Sequence, residues 1–227
     1  MKPPVIVFFI IIGGCFISFA NGANDRPRKS GNTVDIEIFG GAMCLHTTIF
    51  LRQQLLPAYK LFGPRLRIRY HPFGVRRYTN CEWTGSGFEC TCQHGQRECD
   101  KSALQACVIE NFPRTEDHIK LVSCIQGSAA FNTSVRECIE NASAPKQIDC
   151  DRLIRCATGS LGQELVARHG TTQDRKAPGM SWVPWIMIGG IRDKEAERHL
   201  IRQLCSRYLK PRPSECKMYG FEPTEDI

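Results

Sequence analysis

What this chain of 227 residues lacks narrows the field before any motif is considered. Beyond the first 23 residues no apolar run is long enough to cross a bilayer, so no transmembrane segment is expected in the mature chain. Low-complexity tracts are missing, and 42% hydrophobic with 23% charged residues exclude a disordered chain. No stretch resembles a nucleic-acid module, so no nucleic-acid partner is expected. Cysteine is abundant, yet the spacings Cys90-Thr91-Cys92 and Cys92 to Cys99 do not give the paired C-x-x-C that zinc modules favour. No metal centre and no cofactor are expected. The last absence bears on chemistry. At the junction of a strand pattern with a helix pattern the chain reads Cys44-Leu45-His46-Thr47, where redox sites usually carry two thiols.

What is present begins with an address. Lys2 precedes an apolar run from Val5 to Phe19, and the small residues Ala20, Gly22 and Ala23 follow. This is the layout of a secretory signal peptide over residues 1–22. The run is short for a spanning helix and contains Gly13 and Gly14, which argues against a signal anchor. The mature chain is therefore expected to be secreted, or soluble in the lysosomal lumen. Thirteen cysteines fit an oxidising compartment, and Cys15 leaves with the signal peptide. Two sequons, Asn132-Thr133-Ser134 and Asn141-Ala142-Ser143, offer Asn132 and Asn141 as surface glycosylation sites. Net charge is +7, with basic residues gathered from Arg26 to Lys29 and at Arg65, Arg67, Arg69, Arg76 and Arg77. A solvated basic face is the plain reading. An acidic or cell-surface partner, such as a sulfated glycan or an anionic membrane, is the functional one.

Residues 23–33 are polar and basic, a flexible leader. Val34, Ile36 and Ile38 then alternate with Asp35 and Glu37, which predicts a strand closed by Gly40 and Gly41. Thr48 to Phe62 carries apolar residues at helical spacing, with Pro57 expected to kink the helix. A second strand follows, Leu66, Ile68 and Tyr70 on one face and Arg65, Arg67, Arg69 and His71 on the other. So charged a face belongs at a sheet edge or under a polar insertion. Strand, helix, strand predicts a right-handed crossover with a parallel pair. From residue 75 to about 160 cysteines are dense and short helical patterns recur, which reads as a disulfide-stapled helical insertion in one α/β domain. A helix is then expected to end at Gly170. Trp185 to Ile188 reads as a strand, Gly189-Gly190 as a turn and Ile191 as the start of the return. A C-terminal helix and a tail, 217–227, complete the chain.

Cys44 has the setting of a nucleophile. A cysteine at a helix N-terminus meets unpaired backbone N–H groups and the positive end of the helix dipole, both of which favour thiolate over thiol. The thiolate is the species that attacks a disulfide. Protonated His46, two residues on, would add to that field in acid. Pro184, just before the apolar strand, is the place for a cis peptide bond of the sort that packs against the active cysteine in thioredoxin-like folds. An ordinary strand-initiating proline is the alternative. Thr47 stands where the second thiol would be. Its hydroxyl could hydrogen-bond the Cys44 thiolate, but it cannot displace sulfur.

The run CQHGQREC (Cys92 to Cys99) followed by Cys107 resembles the signature of the gamma-interferon-inducible lysosomal thiol reductases. WVPWIMIGG, the C-terminal helix with Cys205, and Cys216 also match that family's pattern, and the resemblance runs from Val34 to Cys216. It implies an α/β, thioredoxin-like fold with a large, disulfide-bonded, mainly helical insertion. It also implies a glycoprotein of the lysosome or secretory route that reduces protein disulfides at acidic pH in antigen processing or host defence. Cys44 matches the family's first active-site cysteine and Thr47 replaces the second. A single-thiol site then needs a small-thiol reductant to release protein substrates. The Leu-His pair after Cys44 is similar to the dipeptide of bacterial periplasmic thiol oxidases. Against the family framework Cys81, Cys90 and Cys150 are additional, which leaves Cys92, Cys99, Cys107, Cys124, Cys138, Cys156, Cys205 and Cys216 as structural cysteines. Cys81 and Cys90 are close enough to pair, and Cys150 is then the odd one. If Cys44 were instead consumed in a bridge, all twelve mature cysteines could pair. Two functions follow from these residues: a single-thiol disulfide exchanger, or a non-enzymatic secreted binding protein on the same scaffold.

Overall fold

Alternation along the first strand, β1 (Val34–Gly40), sends Val34, Ile36 and Ile38 into the main hydrophobic core and Phe39 into a smaller cluster on the other face. The structure, a computed structural model, describes residues 31–142 and 148–225. The expected signal peptide, most of the expected leader and Ser143 of the second sequon lie outside the described residues. β1 pairs in parallel with β2 (Leu66–Pro72), Val34 opposite Leu66 and Gly40 opposite Pro72. On its other side it pairs antiparallel with β5 (Trp185–Ile188), and β6 (Ile191–Arg192) completes the order β2-β1-β5-β6. β2 is thus an edge strand of this sheet, as its charged face requires.

The crossover from β1 to β2 is one interrupted helix. α1 (Leu45–Phe50) passes through a π-helical turn, Leu51–Leu55, into α2 (Leu56–Phe62). The Leu56 N–H reaches back five residues to the Leu51 carbonyl, and Pro57, which has no N–H to give, begins the next segment. The interruption expected at Pro57 is therefore a widened turn just ahead of it. Phe50, Leu51, Leu55, Ala58 and Phe62 are buried along this run.

The insertion opens with a hairpin, β3 (Asn80–Trp83) and β4 (Phe88–Thr91), and continues through α3 (Gln96–Asn111), α4 (Thr115–Ile125), α5 (Phe131–Val135) and α6 (Cys150–Thr158) to α7 (Ser160–Lys176). Cys81 and Cys90 are directly opposed in the hairpin and bonded. Cys92 bonds Cys99, Cys107 bonds Cys156, Cys124 bonds Cys138, and Cys205 bonds Cys216 behind α8 (Ala196–Gln203). Cys44 and Cys150 are free. The cysteines a zinc module would have used are held in disulfides.

Two expectations change. α7 does not stop at Gly170 but runs on to Lys176. A Cβ at Gly170 would stand 2.5 Å from the Phe73 ring, so this glycine admits a ring against a continuing helix rather than ending one. Arg65 also leaves the basic face. It is buried, donating to the Lys210 and Pro211 carbonyls and to Asn32. Arg67 and Arg69 pair with Asp35, and Arg76 with Asp174. The Arg67 and Arg69 side chains stay 60% and 46% exposed, so the rest of this face is solvated as expected. Among the described residues no helix is long and apolar enough to cross a membrane.

Candidate active site

β1 ends in Gly40 and Gly41, and the chain turns through Ala42 and Met43 into Cys44, which caps α1. The turn closes with the Cys44 N–H donating to the Gly41 carbonyl at 3.1 Å. Gly40 is required by close packing, because a Cβ there would stand 2.6 Å from Thr47 Cγ2 and 2.7 Å from the Tyr70 hydroxyl. Cys44 has extended backbone angles, as a helix cap should, and is partly exposed. Its Sγ lies 3.8 Å from the Val183 carbonyl oxygen. The Val183–Pro184 peptide bond is cis. Cys44 and Trp185 pack together against the cluster of Phe39, Val75, Ala177, Met180, Val183 and Met187. The structure thus brings Cys44 and Pro184 into one place from opposite ends of the fold.

His46 is exposed on the first turn of α1. Thr47 is fully buried, and its hydroxyl has no hydrogen-bond partner. The expected hydrogen bond from Thr47 to Cys44 sulfur is therefore not made. The first helical turn carries Thr47 inward against Gly40 and Tyr70 while Cys44 faces the Val183 segment. The Cys44 carbonyl is capped instead by Thr48, whose N–H and hydroxyl donate at 3.0 and 2.9 Å. Asn132 on α5 and Asn141 just after the turn that follows α5 are exposed.

A polar layer that sequence reasoning missed lies under the turn. Met43 N–H donates to Glu98 Oε1 at 3.2 Å, and Glu98 Oε2 accepts from the His94 N–H at 3.0 Å with His94 Nδ1 at 2.9 Å. A Cβ on Gly41 would stand 2.9 Å from Glu98 Oε1 and 3.4 Å from Cys44 Cβ, so both flank one point. Gln126 donates to the Gly41 carbonyl at 2.7 Å and accepts from the Tyr70 hydroxyl at 3.2 Å. The Gly127 N–H donates to the Ala42 carbonyl at 2.9 Å. Burial pushes the Tyr70 phenol well above its ordinary pKa, with charge on Cys44 and Glu98 adding to the shift, so the hydroxyl stays a donor. Glu98 had a signal, since it falls inside CQHGQREC. Gln126 had none, because its partners are 56 and 85 residues away.

The arrangement can perform thiol–disulfide exchange: an unpaired cysteine at a helix start, beside an apolar wall, with its turn held rigid from below. Known proteins agree. Residues 35–142 match the family described as Gamma interferon inducible lysosomal thiol reductase (GILT). A GILT-like protein of Caenorhabditis briggsae is 34% identical over 212 residues, covering 92% of this chain and 94% of that protein. The mouse Gamma-interferon-inducible lysosomal thiol reductase is 23% identical over 82% of this chain and 73% of its own length. Among solved structures, Chlamydia trachomatis DsbA superposes with a TM-score of 0.55 at 13% identity, covering 76% of this chain and 85% of that one, which establishes the thioredoxin-like fold. With a relative a third identical along nearly its whole length and a matching family model over residues 35–142, the chain belongs to the GILT family of thiol reductases.

Proposed function

We propose that this protein is a single-thiol disulfide exchanger of the secretory and lysosomal route. The observation that carries this is the state of its cysteines: Cys44 is unpaired and reachable at the active-site turn, while the residue in the resolving position is a buried threonine. The Cys44 thiolate attacks one sulfur of a protein disulfide. A Cys44–substrate disulfide forms and the other substrate sulfur leaves as a thiolate. Thr47 has no sulfur to attack the mixed disulfide, so a small-thiol reductant does so, its thiolate bonding to the substrate sulfur and releasing Cys44. Cys44 is the nucleophile, His46 stands exposed on the first turn of the same helix, and Pro184 is part of the wall beside the sulfur. The mouse relative's name is lysosomal, which motivates that setting here. Glycans on Asn132 and Asn141 and a role in host defence belong to the same reading.

The test is turnover of a protein disulfide with an added small thiol, compared between wild type and Cys44→Ala. Turnover lost in the variant is expected, and unchanged turnover would sink the proposal. Thr47 also motivates a second reading, a binding protein that has kept the scaffold. That reading predicts negligible turnover and partner binding that survives Cys44→Ala.

A further inference from the structure

Beside Cys44 stands an aromatic shelf that neither the exchange chemistry nor the fold requires. Trp182 and Trp185 flank the Val183-Pro184 segment, with ring centroids 4.9 Å apart. The Arg192 guanidinium carbon sits 4.0 Å from the Trp185 ring centre and 5.4 Å from that of Trp182, and Lys194 Nζ lies 5.5 Å from the Trp182 ring centre. Glu197 holds both, accepting from the Trp182 indole N–H at 3.0 Å and pairing with Arg192. The Trp182 N–H is thus satisfied and the ring is locked, yet 39% of the residue remains exposed. On α1, which Cys44 caps, Leu45 is 67% exposed and Ile49 41%. A large ring held still at the surface loses little entropy when something stacks on it. What can stack is fixed by position. Trp182 adjoins the residue whose carbonyl meets Cys44 Sγ, so its partner is whatever lies beside the disulfide that Cys44 attacks.

We propose that Trp182 is a specificity-determining residue: the part of it left exposed takes an aromatic side chain next to the reacting cysteine of a polypeptide substrate. This rests on the exchange reading above and narrows its substrate class to disulfides in extended chains with an aromatic neighbour. Small disulfides without such a neighbour gain nothing from the shelf. Arg192, already paired with Glu197, props the rings and does not supply the recognition.

The test uses the mature protein carrying Cys150→Ser, so that the other free thiol does not react, and two synthetic peptides alike except for the residue beside their cysteine, Phe in one and Gly in the other. Each cysteine is activated as a mixed disulfide with 2-thiopyridine. Cys44 thiolate attacks the peptide sulfur, the Cys44–peptide disulfide forms, and 2-thiopyridine leaves with the electron pair, so its absorbance reports the rate. Wild type should capture the Phe peptide roughly three- to tenfold faster, the range one aromatic pair supplies. Trp182→Ala should bring that ratio to one while leaving the Gly-peptide rate unchanged, and Trp182→Phe should keep most of the preference. Equal rates in wild type, an unchanged ratio in Trp182→Ala, or a parallel fall of both rates in that variant would overturn the proposal. Capture of neither peptide by wild type would remove the exchange reading and this one with it, whereas capture without preference removes this one alone.

Discussion

Thr47 concentrates the problem at the scale of one residue. In the proposed exchanger it takes the place of a resolving thiol; it is fully buried, and its hydroxyl has no hydrogen-bond partner among the described residues. A buried hydroxyl with no hydrogen bond costs stability, so replacing it with a methyl of the same shape should help. Thr47→Val is expected to stabilise the protein by about 1 kcal/mol in denaturant unfolding, with no change in the rate at which Cys44 is captured by a peptide disulfide. Loss of stability would show that the hydroxyl has a partner, such as an ordered water. Thr47→Cys asks the complementary question. It should restore a dithiol and let one equivalent of substrate be released without added small thiol. A Cys44–substrate adduct that persists in that variant would mean the site has lost more than one sulfur.

At the scale of elements, the disulfide-bonded insertion does not stand apart from the reactive turn but supports it. Glu98 on α3 holds the Met43 N–H, Gln126 after α4 holds the Gly41 carbonyl, and Gly127 holds Ala42. Gln126→Ala would strand the Gly41 carbonyl and the Tyr70 hydroxyl in the interior. It should cost about 2–3 kcal/mol in denaturant unfolding and slow Cys44 capture, and a variant as stable and fast as wild type would refute this supporting role. The parts of the site that were legible in sequence share one property. Alternation in β1, the cysteine at its junction with α1 and the WVPW run are local patterns. What was not legible is long-range. Nothing near Gln126 announces a contact 85 residues away, and Gly170 looks like a helix end until the Phe73 ring is seen against it. The β3–β4 hairpin was hidden because its four-residue strands are too short for alternation to stand out among the cysteines. The burial of Arg65 was hidden for the same reason, since charge is countable in sequence but its partners at the Lys210 and Pro211 carbonyls are not.

For the whole molecule, the cluster of Glu37, His71, His169 and Lys176 between the sheet and α7 bears on how the fold responds to acid. Burial alone would raise Glu37, but hydrogen bonds from His71 and Lys176 pull its carboxyl down to about 2. Burial, aided by His71, lowers His169 from 6.5 to about 3. The unfolded chain therefore takes up a proton at His169 as pH drops below 6.5 while the native state does not until about 3. Glu37 acts in the same direction below 4.5, its contribution being lost as pH falls through about 2. Stability should thus decline as pH falls from 7 to 4, and His169→Gln should flatten part of that slope in thermal unfolding. A wild-type Tm that is level or rises toward pH 4 would contradict this. The cross-links work at all pH values. Removing Cys107–Cys156, which closes a loop of 49 residues, should cost about 4 kcal/mol on the chain-entropy account, read from the denaturant midpoint of the paired alanine variant. The central claim, that Cys44 exchanges disulfides and waits for an outside thiol, is tested most directly by mass spectrometry of native protein treated with a peptide disulfide. The account predicts a peptide adduct on Cys44, told apart by peptide mapping from any on the free Cys150, stable until a small thiol is added and then released in full. Native protein that forms no adduct at Cys44, or an adduct there that a small thiol does not release, would contradict it.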